Sequence, residues 1–145
     1  MAEDDPEDRE LTREAFQESH LANDLRFVED GEQLLDYLYR RGRYADPASS
    51  PRPGLLLLDL NMPKVDGWQA LEEIKADRAF DYLRIIVMTT SKADEDILRT
   101  YRLSAASFIT KPVTFDGFLD VIRTLGKYWL EIVELPPHED LSRKP

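Results

Sequence analysis

The chain has 145 residues, 42% hydrophobic and 33% charged, with a formal charge of −10 and no cysteine. That allows one globular core, excludes a disulfide scaffold, thiol catalysis and thiolate metal sites, and agrees with a reducing, cytoplasmic location. No apolar run reaches the roughly 20 residues that span a bilayer, the start MAEDDPEDRE is unlike a signal peptide, and the charge disfavours nucleic acid and anionic membranes as partners.

Asp5 followed by Pro6, Glu7 and Asp8 reads as an N-cap with proline and acids in the first turn. Leu11, Ala15 and Phe16 then share a helical face. Leu25, Phe27 and Val28 suggest a short strand, and Asp30 and Gly31 open a second helix through Leu34, Leu35 and Leu38, with Gly42 as its end. The segment RRGRYADPASSPRPG contains Pro47, Pro51 and Pro53 and is expected to be a long loop within the domain. Leu55 to Leu58 is a continuous apolar run, as in a strand covered on both faces, and it stops at Asp59. Trp68, Leu71 and Ile74 mark a helix capped by Asp66. Ile85 to Met88 is a second apolar run, ending at Thr89 and Thr90. Asp94 to Leu103 reads as a helix, Ser107 to Thr110 as a strand closed by Lys111 and Pro112, and Phe115, Phe118, Leu119, Ile122 and Leu125 as the stripe of a last helix. Alternating strands and helices of this length imply an α/β fold: a parallel sheet with helices on both faces.

In such sheets ligands collect beyond the carboxyl ends of the strands. Asp59, Thr89 and Lys111 each follow a different apolar run, so one rim receives a carboxylate, a hydroxyl and an ammonium. Singly, an Asp after a strand is usually a turn residue and a Thr usually packs or bonds locally. Together the three point to a site.

These residues resemble the receiver domains of two-component response regulators from Glu3 to about Leu125. The likeness rests on the acidic pair Glu3 and Asp4, the segment LLLLDLNMPKVDG, MTTS from Met88 and FITKP from Phe108. It implies a flavodoxin-like, doubly wound, five-stranded parallel sheet of order 2-1-3-4-5 with five helices. The receiver would occupy residues 1–127, and residues 128–145 would be a tail. By the same likeness Asp59 takes a phosphoryl group from the phosphohistidine of a sensor histidine kinase. Glu3, Asp4, Asp59 and the backbone carbonyl of Asn61 hold Mg²⁺, or Mn²⁺ in its place. Lys111 pairs with a phosphate oxygen, Thr89 donates to the new phosphate, and Phe108 is the aromatic whose rotamer reports the change. Met62 and Pro63 shape the loop after Asp59, and Lys111–Pro112 is expected to be cis. Trp68 and Trp129 are read as packing or partner surface, and neither His20 nor His138 as catalytic. The loop before LLLLDLNMP and the terminal YWLEIVELPP further resemble small regulators that partner bacterial phytochromes, which implies a phytochrome kinase as partner.

One departure stands at the amino terminus. The family has a full apolar strand before the acidic pair, where this sequence has only Met1 and Ala2. Either the natural chain begins earlier, or another segment or a neighbouring chain fills the first-strand position.

The leading expectation is therefore a phosphoacceptor switch, not an enzyme, with output through protein contacts because little sequence follows Leu125. Tyr128, Trp129, Ile132 and Val133 suggest a homodimer through the last helix and last-strand face, against the alternative of packing on their own domain. Two other functions compete. An Asp-nucleophile phosphatase would want a second Asp two residues beyond the first, where this chain has Asn61. A flavodoxin-like binding module would want a Gly, Ser or Thr-rich phosphate loop, and none follows a strand.

Overall fold

The protein's structure, a computed structural model, describes residues 1–19, 24–62, 64–90 and 94–132. His20, Pro63, Val133 and His138 lie outside the described residues.

Helix starts follow the expected chemistry. Helix α1, Pro6–Glu18, is capped by the Asp5 carboxylate, which accepts from the Glu7 N–H at 2.9 Å. Asp30 caps α2, Gly31–Leu38, through the Gln33 N–H at 2.7 Å, and Asp66 caps α3, Gly67–Ala76, through Gln69 at 2.8 Å. Helix α4 is Asp94–Arg102, and α5, Phe115–Leu125, is capped by Thr114. A π-helical continuation of larger radius, Gly126–Ile132, follows α5. Among the described residues no helix is long and apolar enough to cross a membrane.

Strands β1, Leu55–Leu58, β2, Arg84–Thr89, and β3, Ser107–Thr110, pair in parallel in the order β1-β2-β3. Beyond β1, Ala2 bridges in parallel to Leu58 on one side and to Val28 on the other. The spatial order is thus Val28, Ala2, β1, β2, β3. It follows the 2-1-3-4-5 expectation, with the first two positions reduced to single bridges. Residues 1–3 themselves occupy the downstream end of the first-strand position.

Helices cover both faces, because each strand is apolar on both sides. Leu56, Leu58, Ile85 and Val87 share one core with Leu34, Leu38, Leu71 and Ile74 of α2 and α3. Met88 turns to the other face, to Ala15 of α1 and Phe118 and Ile122 of α5. Each such fully buried Leu or Ile contributes about 1.5–3 kcal/mol over leaving it in water. Gly67 is required where α3 meets the sheet. A Cβ there would lie 2.4 Å from the Asp59 carbonyl oxygen and the Leu60 Cα, so only glycine lets the helix start against the loop leaving β1.

Two expectations are corrected. Helix α2 ends at Leu38 with Tyr39 as its C-cap, short of Gly42. The Lys111–Pro112 bond is trans, as are all described peptide bonds. Trans is the lower-energy isomer even before proline, and from it the Lys111 N–H donates to the Thr89 carbonyl at 2.7 Å.

Candidate functional site

The carboxyl ends of the strands deliver their polar residues to one rim. Asp59 leaves β1, Thr89 ends β2, and Lys111 follows β3. Residues 1–3 bring Glu3 to the same place, since Ala2 pairs beside Leu58. The structure brings the Lys111 ammonium against three carboxylates: Glu3 in a short hydrogen bond, Asp8 at 2.7 Å and Asp59 Oδ2 at 3.4 Å. Asp59 is 5% exposed and Glu3 is fully buried. Asp4 is exposed.

Asp59 is oriented from its other side, where Oδ1 accepts the Asn61 N–H at 3.0 Å. The Asn61 side-chain amide donates to the Thr89 hydroxyl at 3.2 Å, which links the ends of β1 and β2. Phe108 is half-buried against the core shared with α2 and α3, one strand away from these groups.

Two contributors escaped the sequence reading. Asp8, a first-turn acid of α1 by its sequence, supplies the second hydrogen-bonded carboxylate on Lys111. Arg9 donates to the backbone carbonyls of Glu3 at 2.9 Å and Asp4 at 3.0 Å, and so fastens the acidic segment to α1. Nothing in the pattern of charges announces that role.

Burial, helped by the Asp59 carboxylate, pushes the Glu3 carboxyl up to about 8, against the opposing pull of Lys111. Burial acts to lower Lys111. The hydrogen-bonded carboxylates of Asp8 and Glu3, with the charge of Asp59, outweigh it and hold the ammonium above the usual lysine range. The site is therefore rich in acidic groups, with three carboxyl groups on one ammonium and that of Asp4 beside them. Carboxylate oxygens of Glu3, Asp4 and Asp59 lie within 4.8 Å of one another. Such a set of hard oxygen donors fits a small divalent cation.

Residues 1–123 match the family model of the response regulator receiver domain. The chain belongs to that family. Response regulator Rcp1 of Synechocystis sp. is 33% identical over 136 residues, spanning 94% of this chain and 90% of the relative. The solved Mn²⁺-bound form of Rcp1 superposes with a TM-score of 0.85 at 33% identity, covering 94% of this chain and 96% of that one. The phosphorylated cyanobacterial phytochrome response regulator RcpA gives 0.87 at 34% identity, with 94% and 95% covered. RPA3017, a response regulator in red light signaling of R. palustris, gives 0.87 at 36%, with 94% and 95% covered. The chain is thus a receiver-type response regulator similar to phytochrome response regulators. Receiver domains bind Mg²⁺ or Mn²⁺ at an acidic pocket, and this chain has an acidic cluster of Glu3, Asp4 and Asp59.

Proposed function

We propose that this receiver is a phosphorylation switch whose acceptor is Asp59 and whose donor is the phosphohistidine of a sensor histidine kinase. One observation carries the reading: the Lys111 ammonium stands 3.4 Å from Asp59 Oδ2 on a rim where Glu3 and Asp4 also converge. In the transfer an Asp59 carboxylate oxygen attacks phosphorus. The O–P bond forms as the P–N bond breaks, and the electron pair stays on the imidazole nitrogen. The Asn61 N–H fixes Oδ1 and leaves Oδ2 toward Lys111, whose ammonium then pairs with a phosphoryl oxygen. Glu3, Asp4, Asp59 and the Asn61 backbone carbonyl are the groups to hold Mg²⁺, or Mn²⁺. Bound there, the ion offsets the carboxylate charge and the charge on the transferring group. Asn61 supplies no general acid, so the acyl phosphate persists rather than turning over as in a phosphatase.

The switch follows from the new charge. Thr89, whose hydroxyl now accepts from Asn61, turns to donate to the phosphate, and Phe108 follows into the space it leaves. The readout surface lies on α4 and on the turn between β3 and α5, where Leu98, Tyr101 and Val113 are exposed. In this reading residues 1–127 are the receiver and 128–145 an extension, and a homodimer forms through the last helix and last-strand face. The helical continuation after α5, with Tyr128 exposed and stacked edge-on against Trp129 at 5.3 Å, supports that contact. The relatives named for phytochrome and red light signaling support a phytochrome-type kinase as partner.

Incubation with Mg²⁺ and acetyl phosphate, read by intact mass, adds one labile phosphoryl group to the wild-type chain and none to Asp59→Asn. Equal uptake by the variant, or sustained release of phosphate, contradicts the proposal. Light scattering with and without phosphorylation tests the dimer, which a monomeric mass in both states removes.

A further inference from the structure

Of the groups gathered at the phosphoacceptor rim, Asp8 has no part in the transfer described above. It stands in the first turn of α1, and it lies outside the cluster of Glu3, Asp4 and Asp59 oxygens that suits a cation. Its carboxylate is nevertheless turned onto the ammonium of the reaction, with Oδ2 2.7 Å from Lys111 Nζ.

An ammonium has three N–H donors. Among the described residues those of Lys111 meet three acceptors: Glu3 in a short hydrogen bond, Asp8 at 2.7 Å and Asp59 Oδ2 at 3.4 Å. A phosphoryl oxygen can therefore pair with Lys111 only by displacing one of them. The lengths show which way the lysine is drawn. Its contact with Asp59 is the longest, beyond the ~2.7–2.9 Å of a charge-assisted hydrogen bond, because two other carboxylates pull the ammonium aside. Burial acts to lower the Lys111 ammonium, and the Asp8 carboxylate comes first among the groups that oppose it. Asp8 is also the partner that can let go. Its side chain is 22% exposed, against 0% for Glu3 and 7% for Asp59, so water can take up its lone pairs when the ammonium leaves. Its backbone stays in place, since its carbonyl accepts from the buried Thr12 hydroxyl at 2.8 Å and the start of α1 favours a carboxylate there.

We propose that Asp8 is a latch on Lys111: its carboxylate holds the ammonium aside from Asp59 in the unphosphorylated chain and must release it as the phosphoryl group arrives, which slows phosphorylation. The inference rests on the reading of Asp59 as the acceptor. Asp8 touches none of the reacting atoms, so it is a positioning residue that acts through Lys111. The latch has a sign opposite to that of a brace. Neutralising a carboxylate that merely steadied the lysine would slow phosphoryl uptake, whereas neutralising one that competes with the phosphoryl oxygens speeds it.

The test follows phosphoryl uptake by intact mass, with acetyl phosphate and with Mg²⁺ saturating for each variant of the 145-residue chain. An Asp59 oxygen bonds phosphorus as the bridging P–O bond breaks, and acetate leaves with the electron pair. Asp8→Asn should take up the group about fivefold faster than wild type, the equivalent of one partly exposed ion pair of about 1 kcal/mol. Asp8→Glu, which keeps the charge, should stay near wild type. In a Lys111→Gln background the gain from Asp8→Asn should vanish, because nothing remains to be released. Denaturation without cation or phosphoryl donor gives a second readout. There Asp8→Asn should lower the folding constant by about fivefold in the wild-type chain and not in Lys111→Gln, the mark of a coupled pair. Equal or slower uptake by Asp8→Asn, or a gain undiminished in Lys111→Gln, would overturn the latch while an inert Asp59→Asn leaves the acceptor standing. Uptake by Asp59→Asn equal to that of wild type would overturn both.

Discussion

The two halves of the sheet are built to different standards. β1 and β2 are full strands with buried side chains and β3 is a full strand of half-buried ones, and their carboxyl ends deliver Asp59, Thr89 and Lys111. The other half is held by single bridges at Ala2 and Val28, yet it brings Glu3 into the same site. The proposed acceptor Asp59 and the Lys111 ammonium thus rest on the robust half, whereas Glu3 and Asp4, the proposed cation ligands, hang from the slender one. Phosphoryl chemistry needs both, so loss of cation binding and loss of fold should be separable by mutation.

The largest separation is expected at Lys111. Its side chain is 9% exposed, and its ammonium holds Glu3, Asp8 and Asp59 together. Lys111→Met should cost about 3–5 kcal/mol in cation-free denaturation, because buried carboxylates lose their partner. Mg²⁺ should restore part of it. Next is the slender half itself. Ala2→Pro removes the N–H that bonds Leu57 and should cost about 2 kcal/mol. It should weaken the cation while leaving exchange protection across β1–β3 unchanged. Loss of protection in all three strands would mean that the halves are not separable.

A smaller effect is expected from pH. Without the ion, Glu3 titrates near 8 in the folded chain against an ordinary value near 4.5. The folded state therefore holds an extra proton between those values, and this contribution to cation-free stability is full below about pH 4.5 and lost as pH rises through 8. Cation binding must expel that proton, so affinity should rise by up to about tenfold per pH unit below 8 and then level. Calorimetry in buffers of different ionisation enthalpy would detect the released proton. A flat affinity from pH 6 to 8 would contradict the assignment of Glu3 as a ligand. The smallest change belongs to the robust half. Arg99 pairs with Glu72 at 2.8 Å and stacks over Trp68 at 4.4 Å, but it is half-exposed, so Arg99→Ala should cost about 1 kcal/mol or less.

What was readable in the sequence was what local pattern encodes. β1 and β3 coincide with the apolar runs read for them, and the caps Asp5 and Asp66 sit where an acidic residue precedes a helical stripe. The expected strand at Leu25 to Val28 shrinks to a bridge at Val28, since a strand is only as long as its partner. Ala2 could not be read at all as a strand residue, because one residue carries no period. Asp8 lies 103 positions from Lys111, and only the completed fold joins them. The trans Lys111–Pro112 bond corrects an expectation borrowed from likeness rather than read from these residues. Trp68 does pack, half-buried beside the core, and its stacking with Arg99 required knowing how α3 and α4 meet.

The most direct test of the central claim is to trap the acyl phosphate chemically. After phosphorylation with Mg²⁺ and acetyl phosphate, borohydride reduction followed by peptide mass mapping should place a single homoserine at position 59. Homoserine at Asp4, Asp8 or any other aspartate, with position 59 unmodified, would contradict it.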